Sequence, residues 1–431
     1  MALAAYALAS AWYAAALAIA RVCGPRRASA RRASGRVVVV GTFHNPGWYR
    51  SHIVPLARSG VGEVIVVTHG SLPQVEGVRL EAPPRWLTML AGRALSKLVW
   101  TIDVGRRFDA DVFIGYHIIP NATIALIAAR LLRRAACYQM TGGPIELIGG
   151  GYLATENNVV GRLGRPSLSL ERLALTVAGQ FDLAVVRGRS AERFVSERCR
   201  PSRTAVIPGS IDLTQFTRGS GERPWDLIFV GRLAPTKQPL QFVEIVAAVR
   251  EKVPGVRACI AGDGPMMTEV RGRIAELRLD DVVHVAGQVA DASSYLRAAR
   301  VFVLTSRSEG LSIAMAEAMA CGAVPVVADV GDLGDLVTNE SNGFLIEPGK
   351  IGQYAERAAE LLLKADRWNE LSSSAAGSAR SYQSIERVSS LWREQLSAFG
   401  ASCAAAEPGA ANDEAVPAAA LGALATRQES R

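Results

Sequence analysis

Short apolar runs rich in valine and isoleucine alternate with helical segments twice along this chain. The first series has strand candidates at 37–41, 64–68, 112–115, 136–140 and 183–186. After a polar loop at 210–222 the second series has candidates at 227–231, 257–261, 282–285, 301–304 and 324–328. Such alternation predicts parallel sheets wrapped by helices. We therefore expect an α/β protein with two doubly wound, Rossmann-like domains facing each other across a cleft.

The 431 residues are enough for two domains, each with its own core. The two series place an N-terminal domain at 36–215 and a C-terminal domain at 222–380. A helical region at 381–400 is expected to cross back to the first domain. The alanine-rich segment 401–431 has no apolar period, so it is interpreted as a disordered tail.

Residues 1–35 form an apolar segment followed by a basic one. Ala2 to Ala20 carry no charge, and six arginines lie between Arg21 and Arg36. The length is close to the roughly 20 residues of a spanning helix, but most of the run is alanine. It has no basic start, so it does not resemble a cleaved signal peptide. A membrane anchor, a surface helix and a misassigned start codon all remain open.

The net charge of +8 favours a partner that is anionic, such as a lipid surface or a polyphosphate ligand. No nucleic-acid motif is present, so nucleic acid is not expected as a partner. The six cysteines are scattered without a CxxC pair, which suits a reducing compartment. The five histidines show no metal-ligand spacing, and no metal site is predicted.

Two glutamates eight residues apart are the most informative motif of the second series. Glu309 precedes a turn formed by Gly310, Leu311 and Ser312, and Glu317 lies on the alanine-rich helix that follows. The strand candidate 301–304 comes just before them. Exposed backbone N–H groups and a helix N-terminus are thus expected at the carboxyl end of a parallel strand, where such sheets bind ligands and anions.

Two further loops follow strands of the same series. Gly231 and Arg232 end one strand and Lys237 begins the next helix, so that the two cations could clamp a diphosphate or simply be solvated. Gly262 and Gly264 flank an aspartate in another loop, which suits either ligand approach or a tight turn. The GxGxxG fingerprint and the P-loop are both missing, which argues against a dehydrogenase or a P-loop kinase.

In this order, these elements resemble the retaining glycosyltransferases of family 4, which have the two-domain GT-B fold. The resemblance covers about 41–399 and is strongest at 227–349. It implies transfer of a sugar from a nucleoside diphosphate donor with retention of anomeric configuration.

By that resemblance, each motif residue would bind a different part of the donor. Arg232 and Lys237 would hold the diphosphate, Glu309 the sugar hydroxyls, and Glu317 the ribose. The N–H groups of Gly310 and Leu311 would meet sugar or phosphate oxygens.

Such enzymes need no metal when basic residues neutralise the diphosphate, so no obligatory cofactor is expected. Asp109-Ala-Asp111 matches the DxD metal motif of the other large glycosyltransferase fold. However, it precedes a strand, which puts its carboxylates at the wrong end of the sheet.

The first domain is expected to bind the acceptor. Its first loop, 41–47, lacks the Gly-Gly pair that the family often has. His117 follows the strand candidate 112–115 and is interpreted either as an active-site residue near the reacting sugar or as a loop histidine. In the loop Thr141 to Glu146, the glycines would admit a ligand, and Glu146 is expected to face the acceptor.

Pro84 to Trp100 has the spacing of a basic amphipathic helix, with Arg85, Arg93 and Lys97 among its cations. It suits an anionic membrane surface or, alternatively, a domain core. The sequence thus predicts a glycosyltransferase at the cytoplasmic face of the inner membrane, acting on a glycan or lipid-linked acceptor. A nucleotide-sugar epimerase or phosphorylase on the same fold, or a non-catalytic sugar-binding protein, is the alternative.

Overall fold

The computed structural model describes residues 2–24, 34–43, 45–153, 164–219 and 221–399. The predicted tail 401–431 lies outside the described residues. Within the described part, two parallel sheets form two α/β units, which confirms the predicted fold class.

The first sheet has seven parallel strands in the order β3-β2-β1-β4-β5-β6-β7. They are β1 (Arg36–Val40), β2 (Glu63–Val67), β3 (Val78–Glu81), β4 (Val112–Tyr116), β5 (Ala135–Gln139), β6 (Leu183–Val186) and β7 (Thr204–Val206). The helices of this half are α1 (Ala2–Cys23), α2 (Pro46–Ala57), α3 (Arg85–Arg107), α4 (Thr123–Leu132), α5 (Leu168–Ala178) and α6 (Arg189–Arg198).

The second sheet has six parallel strands in the order β10-β9-β8-β11-β12-β13. They are β8 (Trp225–Val230), β9 (Ala258–Ala261), β10 (Val283–Gly287), β11 (Ala299–Leu304), β12 (Val324–Ala328) and β13 (Phe344–Ile346). The helices of this half are α7 (Pro239–Lys252), α8 (Met267–Glu276), α9 (Ala292–Arg297), α10 (Ile313–Ala320), α11 (Ile351–Leu363) and α12 (Ala365–Gln383), and the last helix that follows them is α13 (Ile385–Ser397).

Strand order reverses between β1 and β4 in the first sheet, and between β8 and β11 in the second. Open parallel sheets bind ligands at such points, beyond the carboxyl ends of the strands. The loops carrying His117 and Glu309 follow β4 and β11. Each site loop therefore leaves its sheet next to a reversal of strand order.

The last helix returns to the first domain. Val388, Trp392 and Leu396 of α13 are buried in the apolar layer that also contains α2. At the crossing, the N–H of Ile211 donates to the carbonyl of Gln383 at 2.8 Å. The Gln383 side chain in turn donates to the carbonyl of Gly209 at 2.7 Å. The chain thus passes between the domains twice at one place.

Helix α1 packs against α4 and α5 of the first domain. Its buried face includes Ala9, Tyr13 and Leu17. Tyr6 also shares a hydrogen bond of 2.9 Å with Ser169. By length and composition the segment Ala4–Cys23 is apolar enough to cross a membrane. In the structure, however, one face of the helix covers the domain.

The second domain caps a helix of the first. Asp332 Oδ1 accepts from the N–H of Ser190 at 2.8 Å, and Asp335 Oδ2 accepts from the N–H of Arg189 at 2.6 Å. Both donors belong to the first turn of α6, whose free N–H groups and dipole favour a carboxylate. This cap holds the two domains together beside the cleft.

Candidate functional site

The loops after β8 and β9 pack directly against each other. The N–H of Leu233 donates to the carbonyl of Asp263 at 2.9 Å. An ideal Cβ on Gly262 would come within 3.0 Å of the Gly231 carbonyl oxygen, and one on Gly264 would also come within 3.0 Å of the Leu233 carbonyl oxygen. The glycines are therefore required for contact between the loops, a role that the sequence interpretation did not include.

Of the two cations predicted to bind the diphosphate, the Arg232 side chain is unpaired among the described residues and Lys237 forms an ion pair. Arg232 is exposed, and its guanidinium group has no hydrogen bond or ion pair with any described residue; only its backbone carbonyl accepts, from the N–H of Ala234 at 2.9 Å. Lys237 Nζ lies 2.6 Å from Glu309 Oε1, and Ser306 Oγ donates to the same oxygen at 2.5 Å. The structure thus brings Lys237 and Glu309 together, although they are far apart in sequence.

The loop of Glu309 reaches the first domain through Gly310. An ideal Cβ on Gly310 would lie 2.9 Å from the carbonyl oxygen of Thr141, so a larger residue would push the domains apart. Leu311 is buried in the second domain's core. Among the described residues, no acceptor meets the N–H groups of Gly310 and Leu311. They lie just before α10, where an anion is favoured.

Glu317 lies on α10 and is not among the described residues that hydrogen-bond to the Glu309 carboxylate, which are Lys237 and Ser306. Burial, with a smaller effect from Asp291, raises the pKa of Glu317 to about 8. The carboxyl group is therefore largely protonated at neutral pH and can both donate and accept a hydrogen bond. The two glutamates do not form a carboxylate pair.

His117 is tied to a buried carboxylate in the first domain. Its Nδ1 lies 3.1 Å from Glu146 Oε1. Tyr138 also donates to Glu146, at 2.8 Å, as do the N–H groups of Thr141 at 2.9 Å and Gly142 at 2.6 Å. Burial alone would raise the pKa of Glu146, but His117 and these donors lower it overall. The expectation that Glu146 faces the acceptor is wrong, because its carboxylate lies beneath His117.

His117 lies across the cleft from the donor loop. Its ring is stacked on Trp48, with centroids 5.9 Å apart and planes at 12°. Thr141 Oγ1 lies 3.3 Å from His117 Nδ1, and the carbonyl of Thr141 faces Gly310. One residue therefore links His117 to the loop that carries Glu309.

Lys97 is a buried cation on the helix for which the sequence left a membrane surface and a domain core as alternatives. Its Nζ donates to the carbonyl of Gly41 at 3.0 Å, to Asn121 Oδ1 at 3.0 Å and to Thr42 Oγ1 at 3.3 Å. Burial, followed by the charge of Arg93, lowers the pKa of Lys97 to about 8. Lys97 therefore fixes the loop after β1, so this residue fits the alternative of a domain core and not that of an exposed membrane-binding face.

Arg187 was also missed by the sequence interpretation. It follows β6 directly and is buried, and no described residue accepts a hydrogen bond from its Nε or Nη2. Burial lowers the pKa of Arg187 to about 10, although Glu309 and Asp332 oppose this shift. A charged residue just after a buried strand was the only signal in the sequence.

The DxD segment lies at the opposite edge of the first sheet. Asp111 Oδ2 accepts from the N–H of Gly35 at 2.8 Å and from Ser34 Oγ at 2.9 Å. Asp109 pairs with Arg134 at 2.9 Å. Both carboxylates therefore stabilise loops at the amino ends of the strands, remote from the cleft.

Residues 211–377 match the family model described as glycosyl transferases group 1. This match contains Gly231, Arg232, Lys237, Glu309 and Glu317.

Curated relatives each match about two fifths of this chain. An Escherichia coli UDP-Gal:α-D-GlcNAc-diphosphoundecaprenol α-1,3-galactosyltransferase is 31% identical over 36% of this chain and 44% of its own length. A Xanthomonas oryzae GDP-mannose:cellobiosyl-diphosphopolyprenol α-mannosyltransferase is 29% identical over 40% of this chain and 46% of its own length. The matched segment therefore spans less than half of either relative.

Solved structures extend the likeness to both domains. The Anabaena protein HepE in complex with UDP has a TM-score of 0.66 at 18% identity, covering 84% of this chain and 100% of that one. Sucrose-phosphate synthase from Thermosynechococcus elongatus has a TM-score of 0.68 at 16% identity, covering 85% and 100%. At these identities the likeness concerns the fold alone, and it supports the predicted GT-B arrangement. The chain therefore carries a domain of the glycosyl transferases group 1 family, at residues 211–377, within a two-domain GT-B fold.

Proposed function

We propose that this protein is a retaining glycosyltransferase of family 4 that moves a sugar from a nucleoside diphosphate donor to a glycan or lipid-linked acceptor. The observation that carries the proposal is the Lys237–Glu309 pair, beside the N–H groups of Gly310 and Leu311. A cation, a carboxylate and a helix N-terminus meet there and face the first domain.

These groups suit the charges that develop during transfer. Breaking the anomeric C–O bond leaves negative charge on the diphosphate and positive charge on the sugar. Arg232, Lys237 and the N–H groups before α10 stabilise the first charge, and Glu309 stabilises the second. Since basic groups neutralise the diphosphate, we expect no obligatory metal. The acceptor hydroxyl attacks from the side of the leaving diphosphate, which takes up the proton.

The names of the relatives support the proposed donor, a nucleotide sugar, and the proposed acceptor, a lipid-linked sugar. The two described above are named for sugar nucleotides as donors and for sugars on polyprenol-type diphosphates as acceptors. A lipid-linked acceptor places the reaction at a membrane, and a nucleotide-sugar donor places it at the cytoplasmic face.

The first test is release of nucleotide from a panel of UDP- and GDP-sugars in the presence of short glycoside acceptors. We expect one donor to be turned over and Arg232→Ala to raise its KM by about 10- to 100-fold, because a charge-assisted contact to phosphate is lost. Arg271→Ala, which removes an exposed arginine from α8, is the matched control. Equal KM values for both variants would remove Arg232 from the donor site, and no turnover of any donor would overturn the proposed activity.

The start of α3, up to the residue after its kink at Gly92, forms an apolar and basic surface, defined by Arg85, Trp86, Met89, Leu90 and Arg93. Trp86 is 63% exposed, Met89 86% and Leu90 81%, and both arginines are exposed. A patch of large apolar side chains flanked by cations fits the interface of an anionic bilayer. We propose that this surface docks the enzyme on the membrane that holds the acceptor.

Sedimentation with vesicles tests this docking. Replacing Trp86, Met89 and Leu90 together with serine is expected to weaken binding to phosphatidylglycerol vesicles by at least about tenfold, because buried apolar area is lost. Leu363→Ser, at an exposed leucine of the second domain, should have no effect. Undiminished binding of the triple variant would rule out α3 as the contact.

A further inference from the structure

A second group of polar residues lies buried at the carboxyl edge of the first sheet, and the donor site does not use it. We define this group, the Arg187 cluster, as Ser51, His52, Tyr116, Gln139, Arg187 and, from the second domain, Asp332. Every member is less than a tenth exposed. Each also has at least one buried nitrogen or oxygen without a hydrogen-bond partner among the described residues.

The sheet brings these residues to one face. Tyr116 pairs in register with Gln139 at the ends of β4 and β5. Gln139 pairs with Val185, two residues before Arg187, so all three side chains lie on the same side of the sheet. Helix α2 covers that side and contributes His52, whose ring lies 5.7 Å from Tyr116.

The cluster borders the cleft. An ideal Cβ on Gly310 would lie 3.8 Å from Arg187 Cδ, which places Arg187 beside the donor loop. An ideal Cβ on Gly209 would contact Ser51 Oγ at 2.5 Å, His52 Cε1 at 3.3 Å and Ile313 Cδ1 at 3.2 Å. Ser51 and His52 therefore face the start of α10 across the domain boundary.

Unpartnered buried polar groups cost free energy, about 1–3 kcal/mol each and more for a charged group. Most of the unpartnered buried side-chain atoms in the described part of the chain belong to this one cluster. So many unpartnered polar atoms beside a cleft indicate a binding site. We expect a ligand to form hydrogen bonds with these atoms when the domains open and then close around it.

The chemistry of the cluster selects the ligand. Arg187 offers Nε–H and Nη2–H donors. His52 Nδ1 lies 2.9 Å from the carbonyl of Trp48, so Nδ1 carries the proton and the buried Nε2 is an acceptor. Asp332 Oδ2 is a second acceptor. Donors and acceptors are therefore mixed, as hydroxyl groups require.

The charges argue against an anion. The negative charges of Glu309 and Asp332 stabilise the positive charge of Arg187, and Lys237 forms an ion pair with Glu309. The local charges are thus balanced before any ligand binds. Trp48 is half-buried and stacked on His117, and it adds an aromatic surface for the apolar side of a sugar ring.

From this geometry we infer that the Arg187 cluster, with Trp48, is the subsite for the acceptor and takes a neutral, hydroxyl-rich sugar ring. The inference rests on the proposed transfer of sugar and adds the residues that hold the acceptor. It places the acceptor hydroxyl beside Glu309, where the donor sugar lies.

Two isosteric variants test the subsite. Arg187→Met keeps the apolar stem and removes the charge, and Tyr116→Phe removes only a hydroxyl for which the described residues provide no hydrogen-bond partner. A purely structural role predicts unchanged or higher stability and unchanged kinetics, because apolar replacement of an unsatisfied buried group is often neutral or stabilising. An acceptor subsite instead predicts a higher KM for acceptor without loss of Tm.

The probes are octyl glycosides of glucose, galactose and N-acetylglucosamine, compared with the corresponding sugar 1-phosphates. We expect the acceptor KM for an octyl glycoside to rise about 10- to 100-fold in Arg187→Met and about tenfold in Tyr116→Phe. The Kd for free nucleoside diphosphate should be unchanged in both variants. Tyr354→Phe, at a buried tyrosine of the second domain, is the control and should leave the acceptor KM unchanged. Its hydroxyl donates to the carbonyl of Leu304 at 3.4 Å, so only a small fall in Tm is expected.

Binding of the octyl glycosides is also measured by ligand-observed NMR, which needs no catalysis. This readout separates the two proposals, because loss of glycoside binding in the variants supports the subsite even where no donor is turned over. Unchanged acceptor KM and binding in both variants would overturn the inference. So would a failure of wild type to bind any octyl glycoside, or an effect confined to the sugar 1-phosphates, which indicates an anion site.

Discussion

Replacing Glu309 with glutamine is expected to lower kcat for sugar transfer by about 10²- to 10³-fold, the range for removing one preorganised electrostatic group. The carboxylate is only 8% exposed and accepts from both Lys237 and Ser306. Glutamine keeps the size of the side chain but removes the charge that faces the developing positive charge on the sugar. It also weakens the hold on Lys237, so the donor KM should rise as well.

Glu251→Gln, at an exposed glutamate of α7, is the matched control for the loss of one negative charge. Thermal unfolding of both variants separates a catalytic effect from a folding defect. A Glu309→Gln protein with wild-type kcat and a raised donor KM would show that Glu309 binds the ground state and transition state equally. Wild-type values for both constants would remove Glu309 from the site.

The fold was predictable because its strands are buried on both faces. Runs such as Val37–Val40 and Leu183–Val186 are continuous apolar stretches, and a buried parallel strand needs no other signal. The strands that the sequence did not predict, β3, β7 and β13, are short and lie at or next to sheet edges. Their partial exposure interrupts the apolar pattern, so periodicity alone does not identify them.

The site was predictable only where a motif is local in sequence. The loop of Glu309 and the loop of Arg232 each lie within a few residues, whereas the Lys237–Glu309 pair depends on how β8 and β11 adjoin. Arg187 and Lys97 are single cations within ordinary segments. Both are buried because elements that are distant in sequence pack together around them. The spacing of residues in the sequence does not predict such packing.

A substitution at Gly262 is expected to destabilise the protein by about 3 kcal/mol, at the upper end of the usual cost of overpacking. The Cβ of Gly262→Ala would come within 3.0 Å of the Gly231 carbonyl oxygen, which is backbone and cannot turn aside. The loop carrying Arg232 must therefore shift. We expect Tm to fall by roughly 10 °C and the donor KM to rise in the same variant.

Gly272→Ala is the matched control, because Gly272 lies exposed within α8 and an added Cβ there meets nothing within 4 Å. That change should stabilise the helix by about 0.5–1 kcal/mol, since alanine is favoured over glycine in helix interiors. A loss of stability in Gly262→Ala and a gain in Gly272→Ala, at glycines about ten residues apart, would show that the contact between the loops determines the change in stability. The loss of a glycine as such would not explain it. If Gly262→Ala left both Tm and donor KM unchanged, contact between the β8 and β9 loops would not be what places Arg232 at the cleft.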